Sequence, residues 1–401
     1  MSAQRLTFAN QSKLENLCEK VTVGHVGTTT KYYRDEGVPF LRTQNVGANG
    51  LKLDDLKYIT ADFHASQKKS HVQSGDILVS RVVTDRVNCG VVPESIGQAN
   101  CANVLLVRPS AAKLLTSYLH HYLKSSIAQE HLLGQRVGAA QQVVNTKVLR
   151  ELPIPLPPLE EQKRIAGILD QADALRRLRT RALDKLGTLG QAIFHEMFGD
   201  IARNSMDWPI GCIGDLLKEA KYGSSAKANT ECKGLPMLRM GNLTYDGQID
   251  LASLKHVELS ETDFEKYTTR KGDLLFNRTN SKELVGKTAV VKQEEPLAFA
   301  GYLVRGRANE RGNTDYISAY LNSSHGKTTL VGMCKNIVGM ANINAKEMQK
   351  ISIAIPPRDL QDQFSVAIDA IAPERKKLLD AIDLQNALFA SLQHRAFRGE
   401  L

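Results

Sequence analysis

The sequence predicts an α+β protein: two tandem globular domains joined by two long antiparallel coiled-coil helices, the whole forming an internal pseudo-two-fold repeat. Three observations predict it. A chain of 401 residues suits two core-forming units better than one. The second half restates the first at an offset of about two hundred residues. Each copy ends in a proline pair that precedes a long apolar stripe at three-four spacing. The expected boundaries are 1–158 for the first domain, 159–198 for the first helix, 199–357 for the second domain and 358–401 for the second helix.

Four blocks carry the repeat. VPFLRTQNVGANG, starting at Val38, parallels LPMLRMGNLTYDG, starting at Leu235, so that Pro39, Leu41, Arg42, Asn45 and Gly50 fall on Pro236, Leu238, Arg239, Asn242 and Gly247. SGDILVSR, ending at Arg81, parallels KGDLLFNR, ending at Arg278; in each a Gly-Asp turn feeds a short apolar strand. A looser third block pairs Gly138, Asn145 and Lys147 with Gly339, Asn344 and Lys346. The fourth pairs ELPIPLPPLEEQKRIAGIL with KISIAIPPRDLQDQFSVAI.

Pro157-Pro158 and Pro356-Pro357 mark helix starts, where the missing N–H of proline costs nothing. Glu160, Glu161 and Asp359 add the negative charge that a helix N-terminus favours. In the first helix Ile165, Ile168, Ala172, Leu175, Ala182, Leu186, Leu189 and Ile193 mark the expected seam. In the second the seam runs through Phe364, Ile368, Ile371, Leu378, Ile382, Phe389 and Leu392, and Leu169, Leu183 and Leu388 are expected to face away from the seams. Each helix is about 60 Å long at ~1.5 Å per residue. Single-striped helices of this length need a partner, either each other or their own domains. Arg179 and Arg375 fall at seam positions, where they set register or drift toward solvent. Pro373 is expected to kink or interrupt the second helix.

Composition narrows the function class. Hydrophobic residues at 42% with 24% charged describe a soluble globular chain, no apolar run has membrane-spanning length, and the N-terminus lacks a secretory signal, so a cytoplasmic location without a membrane partner is expected. The six scattered cysteines form no CxxC pair and the ten histidines no HExxH, so no metal is expected. A formal net charge of +9 favours an anionic partner.

Catalytic motifs are missing. The chain has no glycine-rich cofactor loop with an Asn/Asp-Pro-Pro-aromatic motif and no GxSxG elbow. Gly286-Lys287-Thr288 and Gly326-Lys327-Thr328 imitate the end of a phosphate loop, but Ser281 and Leu321 stand where its first glycine is required. No catalytic residue is nominated.

The order and spacing of LPIPLPPLEEQKRIAGIL, SIAIPPRDLQDQFSVAI, the two LRxxN segments and GDILVSR/GDLLFNR resemble the specificity subunits of type I restriction-modification enzymes, over essentially the whole chain. The resemblance implies two target-recognition domains, each reading one half of a split double-stranded DNA target, with the helices as a ruler. It further implies two methyltransferase (modification) subunits as partners, restriction/translocase subunits in the full complex, and adenine methylation or restriction directed by this chain. Cofactors are then expected only in those partners: S-adenosylmethionine, ATP and magnesium. RDLQ in place of LEEQ, and Pro373, depart from the family pattern in the second copy.

DNA contact needs Lys and Arg for phosphates and Arg, Asn or Gln for base edges. The candidates are Lys31, Tyr32, Tyr33 and Arg34 in one loop, Lys221, Tyr222, Ser225 and Lys227 in its counterpart, and Thr84, Arg86, Asn280 and Lys282 after the two Gly-Asp strands. Arg42, Arg239, Arg81 and Arg278 occupy matching places, which suits a framework role or a phosphate contact equally. Gln135, Arg136, Gln141 and Gln142, with Lys335, Asn336 and Asn342, are either further phosphate contacts or solvated loops. Two rival classes stand beside DNA recognition: a scaffold whose paired helices are the working surface, and a nuclease, for which the acidic residues supply no metal cluster.

Overall fold

Both proline pairs start helices that run about forty residues, Leu159–Phe198 and Arg358–Arg398. In the computed structural model, residues 10–83, 85–135, 142–334 and 340–401 are described. The chain divides into two units, Met1–Arg179 with Ala381–Leu401, and Thr180–Asp380. The division passes through both long helices, so each unit holds part of each.

In the first unit the strands Cys18–Val23, Val104–Pro109, Ile77–Ser80 and Cys89–Val91 lie side by side in that order as an antiparallel sheet. A second sheet orders Tyr33–Arg34, Lys57–Ile59, Val38–Arg42, Ala99–Ala102 and His71–Val72, with Val38–Arg42 parallel to Ala99–Ala102. The Ile77–Ser80 strand is buried on both faces, which is why it reads as a continuous apolar run rather than an alternating one. Leu14, Val79, Leu105, Tyr118 and Leu149 share one core with Ile165, Leu169, Phe389 and Phe397 of the long helices.

The second unit repeats the plan. Leu217–Tyr222, Leu303–Ala308, Leu274–Asn277 and Thr288–Val290 form the same antiparallel order, and Leu235–Leu238 again runs parallel to its neighbour, Ala298–Phe299. Phe276, Val304, Tyr316, Ile353 and Phe364 pack into its core with Phe194 and Phe198. The α+β fold class and the internal repeat are therefore present as the sequence predicts.

The repeated motifs turn out to be framework. Asn45 and Asn242 of the LRxxN segments accept the N–H of Arg42 and Arg239, each at 2.9 Å, and donate to the carbonyls of Lys52 and Asp250. Asn145 and Asn344 cap the short helices Thr146–Arg150 and Ala345–Gln349. Gln162 and Gln361, one turn into the long helices, each accept one backbone N–H, from Leu115 at 2.9 Å and Asn313 at 2.8 Å. Each also donates to two carbonyls: Lys113 and Pro157, or Arg311 and Pro356.

The helix pairing corrects two expectations. Within the first unit the helices are antiparallel, because Arg164, Arg176 and Arg179 bond in turn to Leu401, Asn386 and Ala381. The inward stripe of the first helix follows Ile165, Leu169, Ala172, Arg176, Arg179, Leu183, Leu186, Gly190 and Ile193, all buried or half-buried. Leu175 and Leu189, expected in the seam, are instead exposed at 53% and 39%, and Ala182 is exposed with them, whereas Leu169 and Leu183, expected outside it, are fully buried and half-buried. Hydrophobicity alone selects the wrong positions because arginines and a glycine occupy the true stripe while leucines stand outside it. In the second helix Phe364, Ile368, Ile371, Leu378, Ile382, Phe389 and Leu392 are buried or half-buried. The second correction concerns Pro373, which does not interrupt the helix running from Arg358 to Arg398. Its missing N–H removes one backbone donor to the preceding turn.

Candidate nucleic-acid interface

In the first unit a single turn of 3-10 helix, Thr30–Tyr32, carries two candidates, Lys31 and Tyr32, and the strand Tyr33–Arg34 follows directly. Lys31 is exposed, with its Nζ 4.9 Å over the Tyr32 ring. That ring is itself stacked on Phe63, centroids 3.9 Å apart, which fixes it against the sheet. The exposed Arg34 folds back onto the carbonyls of Lys31 and Tyr33. Arg42 lies with its guanidinium 5.7 Å over the Tyr33 ring and 3.8 Å from the Asp55 carboxylate.

Arg81 closes its strand, and its carbonyl accepts the N–H of Val144. The Nε atoms of Arg42, Arg81 and Arg239 are buried without a hydrogen-bond partner. Arg86 is exposed and donates to the Lys124 carbonyl. Thr84, Arg136, Gln141, Lys335 and Asn336 lie outside the described residues, as do Gly138 and Gly339 of the third repeat block.

In the second unit one strand end brings several candidates together. The Arg278 guanidinium sits 4.8 Å over the Tyr222 ring, and its Nε donates to the Asn342 side chain at 3.3 Å. The strand pair Thr279–Asn280 and Ala341–Asn342 follows directly, and the Tyr222 hydroxyl accepts the N–H of Ala345. Asn280 is half-buried and caps the N–H of Ser281. Lys227 and Lys282 are exposed, whereas the charge of Lys221 is taken by Glu219 at 2.8 Å.

Other features also resolve. Thr288 is buried in a strand, and Lys327 lies 3.6 Å over the Tyr245 ring, so neither Gly-Lys-Thr segment forms a phosphate loop. Burial pushes the thiols of Cys18, Cys89 and Cys101 up to about 12, and all six cysteines are free. A cavity of about 140 Å³ in the second unit has its charged lining paired internally, Lys292 with Asp315 and Asp369, and Arg375 with Asp246. Among the described residues no group of three or more His, Cys, Asp or Glu side chains is placed to hold a metal. Among them, too, no helix is long and apolar enough to cross a membrane.

Sequence reasoning missed the role of the Gly-Asp turns. Asp76 and Asp273, both buried, receive the guanidinium groups of Arg108 and Arg307 from the adjacent strand. Those arginines stand at matching places in the repeat, which was the available signal. The exposed turn residues Asn103 and Tyr302 also went unnoticed, since no motif surrounds them.

The family pattern of the type I restriction modification DNA specificity domain matches this chain twice, over residues 10–187 and 206–373. The chain belongs to the type I restriction-modification DNA specificity family. Members are DNA-recognition subunits and are non-catalytic. Among relatives, the type I restriction enzyme EcoKI specificity subunit of Escherichia coli (strain K12) is 25% identical over 399 residues, covering 92% of this chain and 84% of the relative. The StySPI specificity subunit of Salmonella potsdam is 23% identical over 403 residues, with the same coverage. Among solved structures, a type I restriction-modification S subunit from M. genitalium has a TM-score of 0.57 at 15% identity, covering 97% of this chain and 96% of that one. A chain from a type I system studied for complex assembly and conformational transition also has a TM-score of 0.57, at 18% identity and 98% coverage of both. This specificity subunit thus carries two tandem DNA specificity domains of the family fold.

Proposed function

We propose that this chain reads a two-part double-stranded DNA target, one half-site per unit, and directs adenine methylation or restriction by partner subunits. The observation that carries the reading is the duplication itself. Two copies of one DNA specificity domain share buried framework residues, such as Asp76/Asp273 and Gln162/Gln361, yet carry different exposed polar residues. Identical framework with unlike surface suits two readers of unlike sequence, because base contacts specify while the scaffold only positions them.

The partners are then two methyltransferase subunits, joined by restriction/translocase subunits in the full complex. Those partners carry S-adenosylmethionine, ATP and magnesium, and this chain works inside the cell beside its DNA. Basic groups such as Lys31, Lys227, Arg278 and Lys282 supply phosphate attraction.

The test is co-expression with the cognate methyltransferase subunits and mapping of methylated adenines in genomic DNA. The expected result is methylation confined to one split motif and lost when this chain is omitted. Methylation indifferent to the chain, with no DNA binding by the assembled complex, overturns the proposal.

A further inference from the structure

We infer that the tip of one short turn in each unit, Asn103 in the first and Tyr302 in the second, is a base-reading position that selects that unit's half of the target. The inference rests on the two-part reading proposed above. The turn links Ala99–Ala102 to Val104–Pro109 in the first unit, and Ala298–Phe299 to Leu303–Ala308 in the second.

Its backbone is held alike in both copies. In the first unit the N–H groups of Gly24, His25 and Asn103 donate to the carbonyls of Val104, Cys101 and His25 at 2.9, 2.8 and 3.0 Å. In the second those of Gly223, Ser224 and Gly301 donate to Leu303, Phe299 and Ser224 at 3.2, 2.8 and 2.8 Å. Both crossings need glycine, because a Cβ on Gly24 or Gly223 would strike the carbonyl oxygen of Cys101 or Phe299.

On this shared cradle the tips differ. The first unit has a single exposed residue, Asn103, in the left-handed region at φ 56°. The second has Gly301-Tyr302, one residue longer, with Tyr302 54% exposed. Neighbouring positions differ too: Val23 stands where the other unit has Tyr222, and Val83 where it has Asn280.

A backbone locked by hydrogen bonds with its side chain left in solvent is what a base contact requires, since the contacting group must be positioned before DNA arrives. An asparagine amide offers the donor and acceptor pair that matches the edge of adenine, and a tyrosine offers a hydroxyl and an apolar ring for a base edge or a thymine methyl. The surroundings fit this use. The Tyr302 carbonyl accepts the N–H of Arg278 at 3.0 Å, which places the Arg278–Tyr222 pair beside the tip. The Asn103 carbonyl accepts the Thr43 hydroxyl at 2.9 Å, and Val26, next to His25, is 60% exposed.

The test uses Asn103→Ala and Tyr302→Ala in the full chain, assembled with its methyltransferase subunits, with methylated adenines mapped across genomic DNA. Each variant is expected to relax discrimination at one base pair by roughly tenfold or more, the two in different halves of the motif. An unchanged motif for either variant overturns the inference and leaves the two-part reading standing. A wild-type chain that directs no methylation overturns that reading instead. Should Tyr302→Ala abolish methylation, Tyr302→Phe decides: recovery with one relaxed position supports the inference, and continued loss from an intact assembly overturns it.

Discussion

Arg108 grips the buried Asp76 with two guanidinium nitrogens, Nε to Oδ1 and Nη2 to Oδ2, each at 2.8 Å. Asp76 also accepts the N–H of Gln73, so a single carboxylate ties the Gly-Asp turn to itself and to the next strand. Arg307 and Asp273 repeat the arrangement, and there the fully buried Arg305 and the half-buried Glu219 extend it. The hydrogen-bonded carboxylate beside Arg108 holds its guanidinium above the usual range.

Removing one partner of such a pair strands the other charge. Asp76→Ala should therefore destabilise the first unit by about 3 kcal/mol or more. The double variant with Arg108→Ala should recover part of that loss. Denaturant unfolding of the single and double variants checks it, and additive losses would refute the coupling.

Gln162 saturates three backbone groups at the start of the first long helix, as Gln361 does for the second. Gln162→Ala leaves buried polar groups without partners, each costing about 1–3 kcal/mol. The expected outcome is faster amide exchange at Leu115, with amides remote from that helix start unchanged. Gln361→Ala should do the same at Asn313.

Burial pushes His120 down to about 4, helped by Lys124, His121 and Arg177 and opposed by Asp173. The unfolded chain binds its proton near pH 6.5, so between about 6.5 and 4 the unfolded state holds more protons than the folded one. Stability present above pH 6.5 is lost as pH falls through that window, by an amount on the order of 3 kcal/mol. His121 shifts the same way through burial, against its contact with Asp170 at 2.7 Å. Unfolding midpoints at pH 7 and pH 5 measure the effect, and His120→Asn should flatten it.

Arg375 reaches from the helix stripe to Asp246 at 2.9 Å, in a pair that solvent partly screens. Such pairs contribute about 0–1 kcal/mol, so Arg375→Leu should leave thermal unfolding nearly unchanged and helix content intact. A loss well beyond that would give the arginine a register-setting role. Arg179 differs, because its Nη1 donates to the Ala381 carbonyl.

Lys31→Ala should weaken binding to every DNA sequence alike and lower the salt slope by about one. Lys221→Ala should change it less, since that ammonium is already held by Glu219 at 2.8 Å, a carboxylate it shares with Arg305 and Arg307. Affinity measured against salt concentration on target and unrelated duplexes separates the two.

Local patterns made much of this legible. Pro157-Pro158 and Pro356-Pro357 signal helix starts by themselves, and the Gly-Asp dipeptides signal turns before buried strands. The duplication made the architecture readable, because a motif met twice at one offset cannot be chance turn chemistry. The inward stripe of the first helix was harder to read. Its arginines and glycine look polar in sequence, yet Arg176 buries its stem with the guanidinium 4.5 Å over Phe389, and Gly190 makes room for Ile368.

By itself, then, the sequence determined the two-copy α+β plan, the long helices and the family, since each follows from residue order along one segment. Only the tertiary structure decided that Arg108 belongs to Asp76, that Leu169 rather than Leu175 faces inward, and that Asn103 and Tyr302 stand on equivalent cradles. Those relationships join residues far apart in the chain, and burial with hydrogen-bond satisfaction, rather than local propensity, selects the partner.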